Sequence, residues 1–204
     1  MKFDFTKNTR LQKQLDFIVE IDKIKNIYRQ SLLFDKSRFE NDAEHSWTIA
    51  VMATLLREYA NFTVNIEKVV LMLLLHDIVE VDAGDTYIYA ANRDEAHEKE
   101  VKAANRIFGL LEDDQKELYI DLWNEFEEQK TNEAKFATVF DRLEPLLQNY
   151  LTEGESWKKH GISYEMVYKV NKHIEEGSRE IWDFVSAMLD SAVEKGYLPR
   201  DTFS

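Results

Sequence analysis

Seven consecutive apolar residues, Val69 to Leu75, run directly into His76 and Asp77. Taken from Asn65, this segment is apolar on almost every face, which predicts a central, buried helix rather than a surface one. Such a helix needs a shell of amphipathic partners. Apolar residues recur at helical spacing over about 10–29, 43–60, 65–79, 94–111, 113–129, 132–152 and 163–195, about seven helices in all. Two prolines and six glycines in 204 residues leave little of the turn chemistry that an all-β chain needs. The expected fold is all-α, a helical bundle forming a single domain over 1–204.

The formal net charge of −13 opposes polyanions, so long nucleic acid and an anionic membrane surface are poor partners. A small phosphorylated ligand stays open, because one arginine or a bound cation reverses the potential locally. With no cysteine, neither disulfides nor a thiolate metal site are available. The first residues lack the apolar core of a signal peptide, and Val69–Leu75 is too short to span a bilayer. A cytoplasmic location is the default expectation.

An ionisable pair at the end of a buried helix needs a partner or a cation. A His-Asp doublet alone reads first as a satisfied core histidine beside a helix-ending carboxylate. Two further residues change that reading. His45 shares the inward stripe of its helix with Ile49, Met52 and Leu56, after Asn41 and Asp42 as candidate caps. Asp141 flanks the stripe Phe136, Phe140, Leu143, Leu147 and Tyr150 of a later helix. Two imidazoles and two carboxylates suit one borderline divalent ion such as Mn, Co, Fe, Ni or Zn. Such an ion can polarise a phosphoryl oxygen and generate a nucleophile near neutral pH.

The order His45, His76-Asp77, Asp141 resembles the HD-domain superfamily of metal-dependent phosphohydrolases. Glu44-His45-Ser46-Trp47, His76-Asp77-Ile78-Val79-Glu80 with Gly84-Asp85, and Glu133-Ala134-Lys135-Phe136 leading to Asp141-Arg142-Leu143-Glu144 are similar to its 5′-deoxyribonucleotidase branch. The resemblance covers about Leu15 to Tyr150. It implies a metal-site core over about 15–150 with a C-terminal helical extension over about 163–195, and a homodimer that hydrolyses nucleoside 5′-monophosphates. His45, His76, Asp77 and Asp141 would be the metal ligands, with Asp77 and Glu80 catalytic. Glu80 lies four residues after His76 and could position water or pass a proton to the departing 5′-oxygen. Asp85, beyond the turn at Gly84, matches the carboxylate that meets the sugar 3′-hydroxyl. Arg29 matches an arginine at the end of the family's first helix, and a guanidinium suits phosphate or a base edge. The branch often has a tryptophan after that arginine; here it is Gln30.

Pro145, four residues after Asp141, is expected to kink the helix beside that ligand. His97, His160 and His173 lie in polar surroundings and read as surface residues. Trp47, Trp123, Trp157 and Trp182 read as core or interface. Two other readings keep the constellation: an enzyme for nucleoside triphosphates, cyclic nucleotides or another phosphate ester, and a nucleotide-sensing protein that binds metal without turnover.

Overall fold

A computed structural model describes residues 5–85, 88–89 and 93–200 of the chain; Thr86, at the end of the expected loop, lies outside them. The helices are α1 (Thr9–Ile21), α2 (Asp42–Leu55), α3 (Ile66–Leu75), α4 (Glu80–Ala83), α5 (Arg93–Phe108), α6 (Asp113–Glu128), α7 (Asn132–Leu151), α8 (Glu155–Lys159), α9 (Tyr164–Asn171), α10 (Ile174–Gly177) and α11 (Arg179–Glu194). Strands β1 (Tyr28–Leu32) and β2 (Phe39–Asn41) pair antiparallel between α1 and α2, with Tyr28 opposite Asn41 and Leu32 opposite Phe39. Among the described residues, no helix is long and apolar enough to cross a membrane.

The apolar run becomes the centre of the bundle. Helix α3 starts where the Asn65 side chain accepts from the Lys68 amide, and it packs against α2, α6 and α7. Val69, Met72, Leu73 and Leu75 are buried, each contributing about 1.5–3 kcal/mol of apolar transfer. The all-round burial expected of this helix is incomplete, because Leu74 faces outward and is 42% exposed. Helix α2 is set by a capping box in which Asn41 accepts from the Glu44 amide and Glu44 reaches back to the Asn41 amide. That box fixes the first turn, and so directs His45 and Ile49 inward. Thr131 caps α7, whose Phe136, Phe140 and Leu143 fill the facing layer.

Three elements depart from the sequence-based expectation. The first helix ends at Ile21, a short 3₁₀ segment follows, and Arg29 lies on β1 rather than at a helix end. The strand carries Arg29 towards the buried carboxylates of Glu40 and Asp42 and the partly buried one of Asp77, a tertiary gain that outweighs local helical periodicity. The stretch 163–195 is three helices, not one. Ser178 is extended and caps α11 through its side chain to the Ile181 amide. Gly177 sits so close to α7 that a Cβ would come within 2.5 Å of the Lys135 carbonyl oxygen, so the chain must break there to pack. Helix α8, between α7 and α9, was not legible as an element of its own. His173, expected at the surface, is half-buried, and its Nε2 is buried without a hydrogen-bond partner. Trp123, Trp157 and Trp182 are in the core, whereas Trp47 is 66% exposed.

Candidate metal centre

Three helices and one tight turn bring the four distant residues together. His45 comes from the second turn of α2, and Asp141 from the middle of α7. His76 and Asp77 come from the 3₁₀ turn, His76–Val79, into which α3 tightens. Asp141 Oδ1 lies 3.2 Å from His45 Nε2 and 3.7 Å from His76 Nε2. Asp77 Oδ1 is 3.1 Å from His76 Nε2, and its Oδ2 is 3.9 Å from His45 Nε2. Donor atoms of His45, His76 and Asp141 all lie within 4.8 Å of one another, a spacing that a single cation can bridge, and Asp77 adjoins them.

The outer ring nitrogens are already committed. His76 Nδ1 lies 2.9 Å from the Leu73 carbonyl oxygen, which can only accept, so Nδ1 donates and Nε2 is the nitrogen that faces the cluster. That Nε2 is buried and has no hydrogen-bond partner. His45 Nδ1 donates to Glu144 Oε2 at 2.9 Å, which turns its Nε2 towards Asp141 Oδ1 at 3.2 Å. Carboxylate or carbonyl partners on the far nitrogen are what orient metal-ligating histidines. The donor set and the orphaned nitrogen therefore fit a divalent ion.

Carboxylates dominate the electrostatics of the cluster and favour the protonated form of both histidines. Burial and Arg29 push the His45 pKa down, but Asp141 and Glu144 outweigh them and hold it up at about 10. Burial would raise Asp141, yet Arg142, His45 and His76 keep it well below the ordinary carboxylate range. Arg29 Nη1 lies 2.9 Å from Asp77 Oδ2 and 3.4 Å from Asp42 Oδ1, and these acids hold its charge against burial.

Glu80 begins α4 and lines the same cavity, 9% exposed, with Oε2 buried and unpartnered. Burial, then the charges of Asp77 and Asp85, push its pKa up to about 10. Gly84 turns the chain after α4 with a φ of 77°, and Asp85 follows on the cavity wall. Burial raises Asp85 as well, with Arg29 acting in the opposite direction. The cavity holds about 500 Å³, within the range of small-ligand sites, and Gln30, Arg142, Pro145 and His97 also line it.

Sequence reasoning missed three buried acids. Glu144 supports His45; its signal was a carboxylate within the apolar stripe of α7, beside Leu143. Glu40 is 2% exposed, 3.8 Å from His45 Nδ1, and burial and Glu144 push its pKa up to about 8. Asp42, read as a candidate cap, is fully buried, and burial and Asp77 raise its pKa to about 7. Nothing local marks either of them. Two further donor groups exist among the described residues, Glu40–His45–Glu144 and the more exposed His97–Glu100–Glu127.

An all-helical bundle in which paired histidines and aspartates on separate elements face one cavity defines a class of cation-binding proteins. The model of the family described as HD domain matches residues 21–182, and the chain belongs to that family. A crystal structure described as a predicted metal-dependent phosphohydrolase from Magnetospirillum magnetotacticum MS-1 is 52% identical, with a TM-score of 0.91 over 94% of this chain and 96% of that one. The human protein named 5′-deoxynucleotidase HDDC2 is 33% identical over 139 residues, 66% of this chain and 65% of its own length. The alignment thus spans just under two thirds of that curated relative. An HD-domain phosphohydrolase (lin2634) from Listeria innocua shares the fold alone, at 20% identity and a TM-score of 0.68 over 91% of this chain and 92% of that one.

Proposed function

We propose that this protein is a metal-dependent phosphohydrolase that converts nucleoside 5′-monophosphates, deoxynucleotides among them, to nucleoside and phosphate. His45, His76, Asp77 and Asp141 are its metal ligands, and Mn, Co, Fe, Ni or Zn suits that donor set. The observation that carries the reading is His76 Nε2: buried without a hydrogen-bond partner, 3.1 Å from Asp77 Oδ1 and 3.7 Å from Asp141 Oδ1, in one donor group with His45 and Asp141. The 5′-deoxynucleotidase named among the relatives supports the substrate class.

A divalent ion bound there supplies Lewis-acid polarisation of a phosphoryl oxygen and acidifies water for attack. The chain's own residues do the rest. Asp77 is held in register by Arg29, which also lines the cavity and offers the remainder of its fork to substrate. Glu80, protonated by its surroundings, gives its proton to the 5′-oxygen as the bond from phosphorus to that oxygen breaks. Water supplies the oxygen of the new bond to phosphorus, and the proton it gives up restores the Glu80 carboxyl. Asp85 accepts a hydrogen bond from the sugar 3′-hydroxyl. Gln30 lines the cavity where the branch often has tryptophan, and this loosens discrimination between ribose and deoxyribose.

Phosphate release from paired ribo- and deoxynucleoside monophosphates, screened against the five ions, tests this. Turnover of monophosphates with one or more ions is expected, with deoxynucleotides at least equal to ribonucleotides. Ion binding without turnover across the panel would instead favour a sensor, and pyrophosphate or triphosphate release would favour a triphosphate enzyme.

The protein acts as a homodimer in this reading. Trp47, Val51 and Leu55 recur every four residues on α2 and are 66%, 45% and 71% exposed, an apolar stripe suited to a second copy. Leu55→Glu is expected to yield a monomer by sedimentation equilibrium. A wild-type monomer, or a variant that still dimerises, contradicts it.

A further inference from the structure

We propose that Arg142 forms a phosphate subsite of the cavity, gripping the phosphoryl group of substrate and the inorganic phosphate product; this rests on the phosphohydrolase reading above. The cavity presents an electrostatic problem to such a ligand. Asp77, Glu80, Asp85, Glu100, Glu127 and Asp141 all line it, so a phosphate dianion enters among carboxylates. Against them stand two guanidiniums, Arg29 and Arg142. Arg29 commits Nη1 to Asp77 and Asp42, while its Nε, 4.0 Å from Glu40, makes no hydrogen bond. Arg142 has a single ion-pair contact, to Asp141.

Arg142 follows Asp141 on α7 and is only 18% exposed along its side chain. Its Nε stands 3.6 Å from Asp141 Oδ2, too far for a hydrogen bond, and is buried without a hydrogen-bond partner. A buried donor of this kind is costly unless something completes it. Asp141 is a poor candidate, since His45 and His76 already share its Oδ1 and a cation would draw on the same carboxylate. With Asp141 so engaged, the guanidinium stands at the cavity wall beside the metal ligands with donors left for a ligand. A planar, permanently charged fork is the side chain best matched to a tetrahedral oxyanion.

The test is calorimetric titration of inorganic phosphate into Mn²⁺-saturated protein, with Mn²⁺ affinity measured separately on each variant. Arg142→Met is expected to weaken phosphate binding by about 10- to 100-fold, the range for a charged hydrogen bond, while Mn²⁺ affinity stays within about threefold. Arg142→Lys keeps the charge but loses the fork and should fall between. Lys135→Met removes a nearby charge that pairs with Glu176 outside this cavity, and should bind phosphate as wild type does. Unchanged phosphate affinity in Arg142→Met overturns the proposal. So does a phosphate loss that merely tracks a loss of Mn²⁺ affinity, which would make Arg142 a prop for Asp141. Wild-type protein that binds no phosphate defeats this subsite, while turnover of monophosphates alone decides the phosphohydrolase reading. Phosphate binding that needs Arg142, without turnover of any monophosphate, upholds the subsite and defeats only the enzymatic reading.

Discussion

Replacing Asp77 by alanine is expected to lower kcat/KM for nucleoside monophosphates by about a thousandfold or more, because it removes a ligand from the centre and the anchor from Arg29. Lewis-acid stabilisation is worth several kcal/mol, and each 1.36 kcal/mol is a factor of ten in rate. Asp77 Oδ1 lies 3.1 Å from His76 Nε2 and Oδ2 2.9 Å from Arg29 Nη1, so the truncation empties both positions at once. Arg29 keeps Asp42 at 3.4 Å, and the fold survives with a melting temperature about 3–10 °C lower. Asp77→Asn separates the two effects. It keeps the volume and an oxygen for Arg29, so stability recovers, while a neutral amide is a far weaker ligand than a carboxylate and activity does not. The readout beyond activity is thermal: at 100 times its dissociation constant, a bound ion stabilises the wild type by about 2.7 kcal/mol, and neither variant should show that rise with Mn²⁺. Wild-type activity in Asp77→Asn would defeat the assignment of this carboxylate.

Glu80→Gln should separate proton transfer from metal binding. The carboxyl is buried, and its pKa is pushed up to about 10 by burial and by Asp77 and Asp85, so glutamine is close to an isostere of the state present at neutral pH. The variant is therefore expected to fold with an unchanged or higher melting temperature and to bind Mn²⁺ within a few-fold of wild type. It cannot give up a proton. Loss of a positioned general acid costs about 10²- to 10⁴-fold, and the loss should fall on kcat rather than KM. Substrates with a more acidic leaving group, such as an aryl phosphate, need less protonation and should lose much less. Equal losses on both substrate types would mean that Glu80 does not serve the leaving oxygen.

These outcomes turn on residues whose legibility in the sequence differed for physical reasons. The run Val69–Leu75 announced a buried helix because hydrophobic periodicity is a local signal, and the ionisable pair at its end was anomalous enough to mark the centre. His45 and Asp141 were found through helical register, which the capping box at Asn41 and the cap at Thr131 preserve. Arg29 was identified but assigned to the wrong element. Its segment satisfies helical spacing, and only the pairing of β1 with β2 and the three acids waiting across the fold make a strand better. Glu40 and Asp42 were invisible as site residues because burying a carboxylate is a tertiary event, whereas Glu144 was marked only by its place beside the apolar stripe of α7. A sequence shows an acid, not the imidazole or guanidinium that makes its burial tolerable. The breaks at Gly177 and Ser178 were hidden likewise, since close approach to α7 decides them rather than any local turn signal.

Anomalous diffraction at the manganese edge, on crystals grown with Mn²⁺, locates the bound cation itself. One dominant peak is expected, about 2.0–2.3 Å from His45 Nε2, His76 Nε2 and carboxylate oxygens of Asp77 and Asp141. No peak there, or a dominant peak at Glu40–Glu144 or at His97–Glu100–Glu127 instead, would contradict a cation at the heart of this fold.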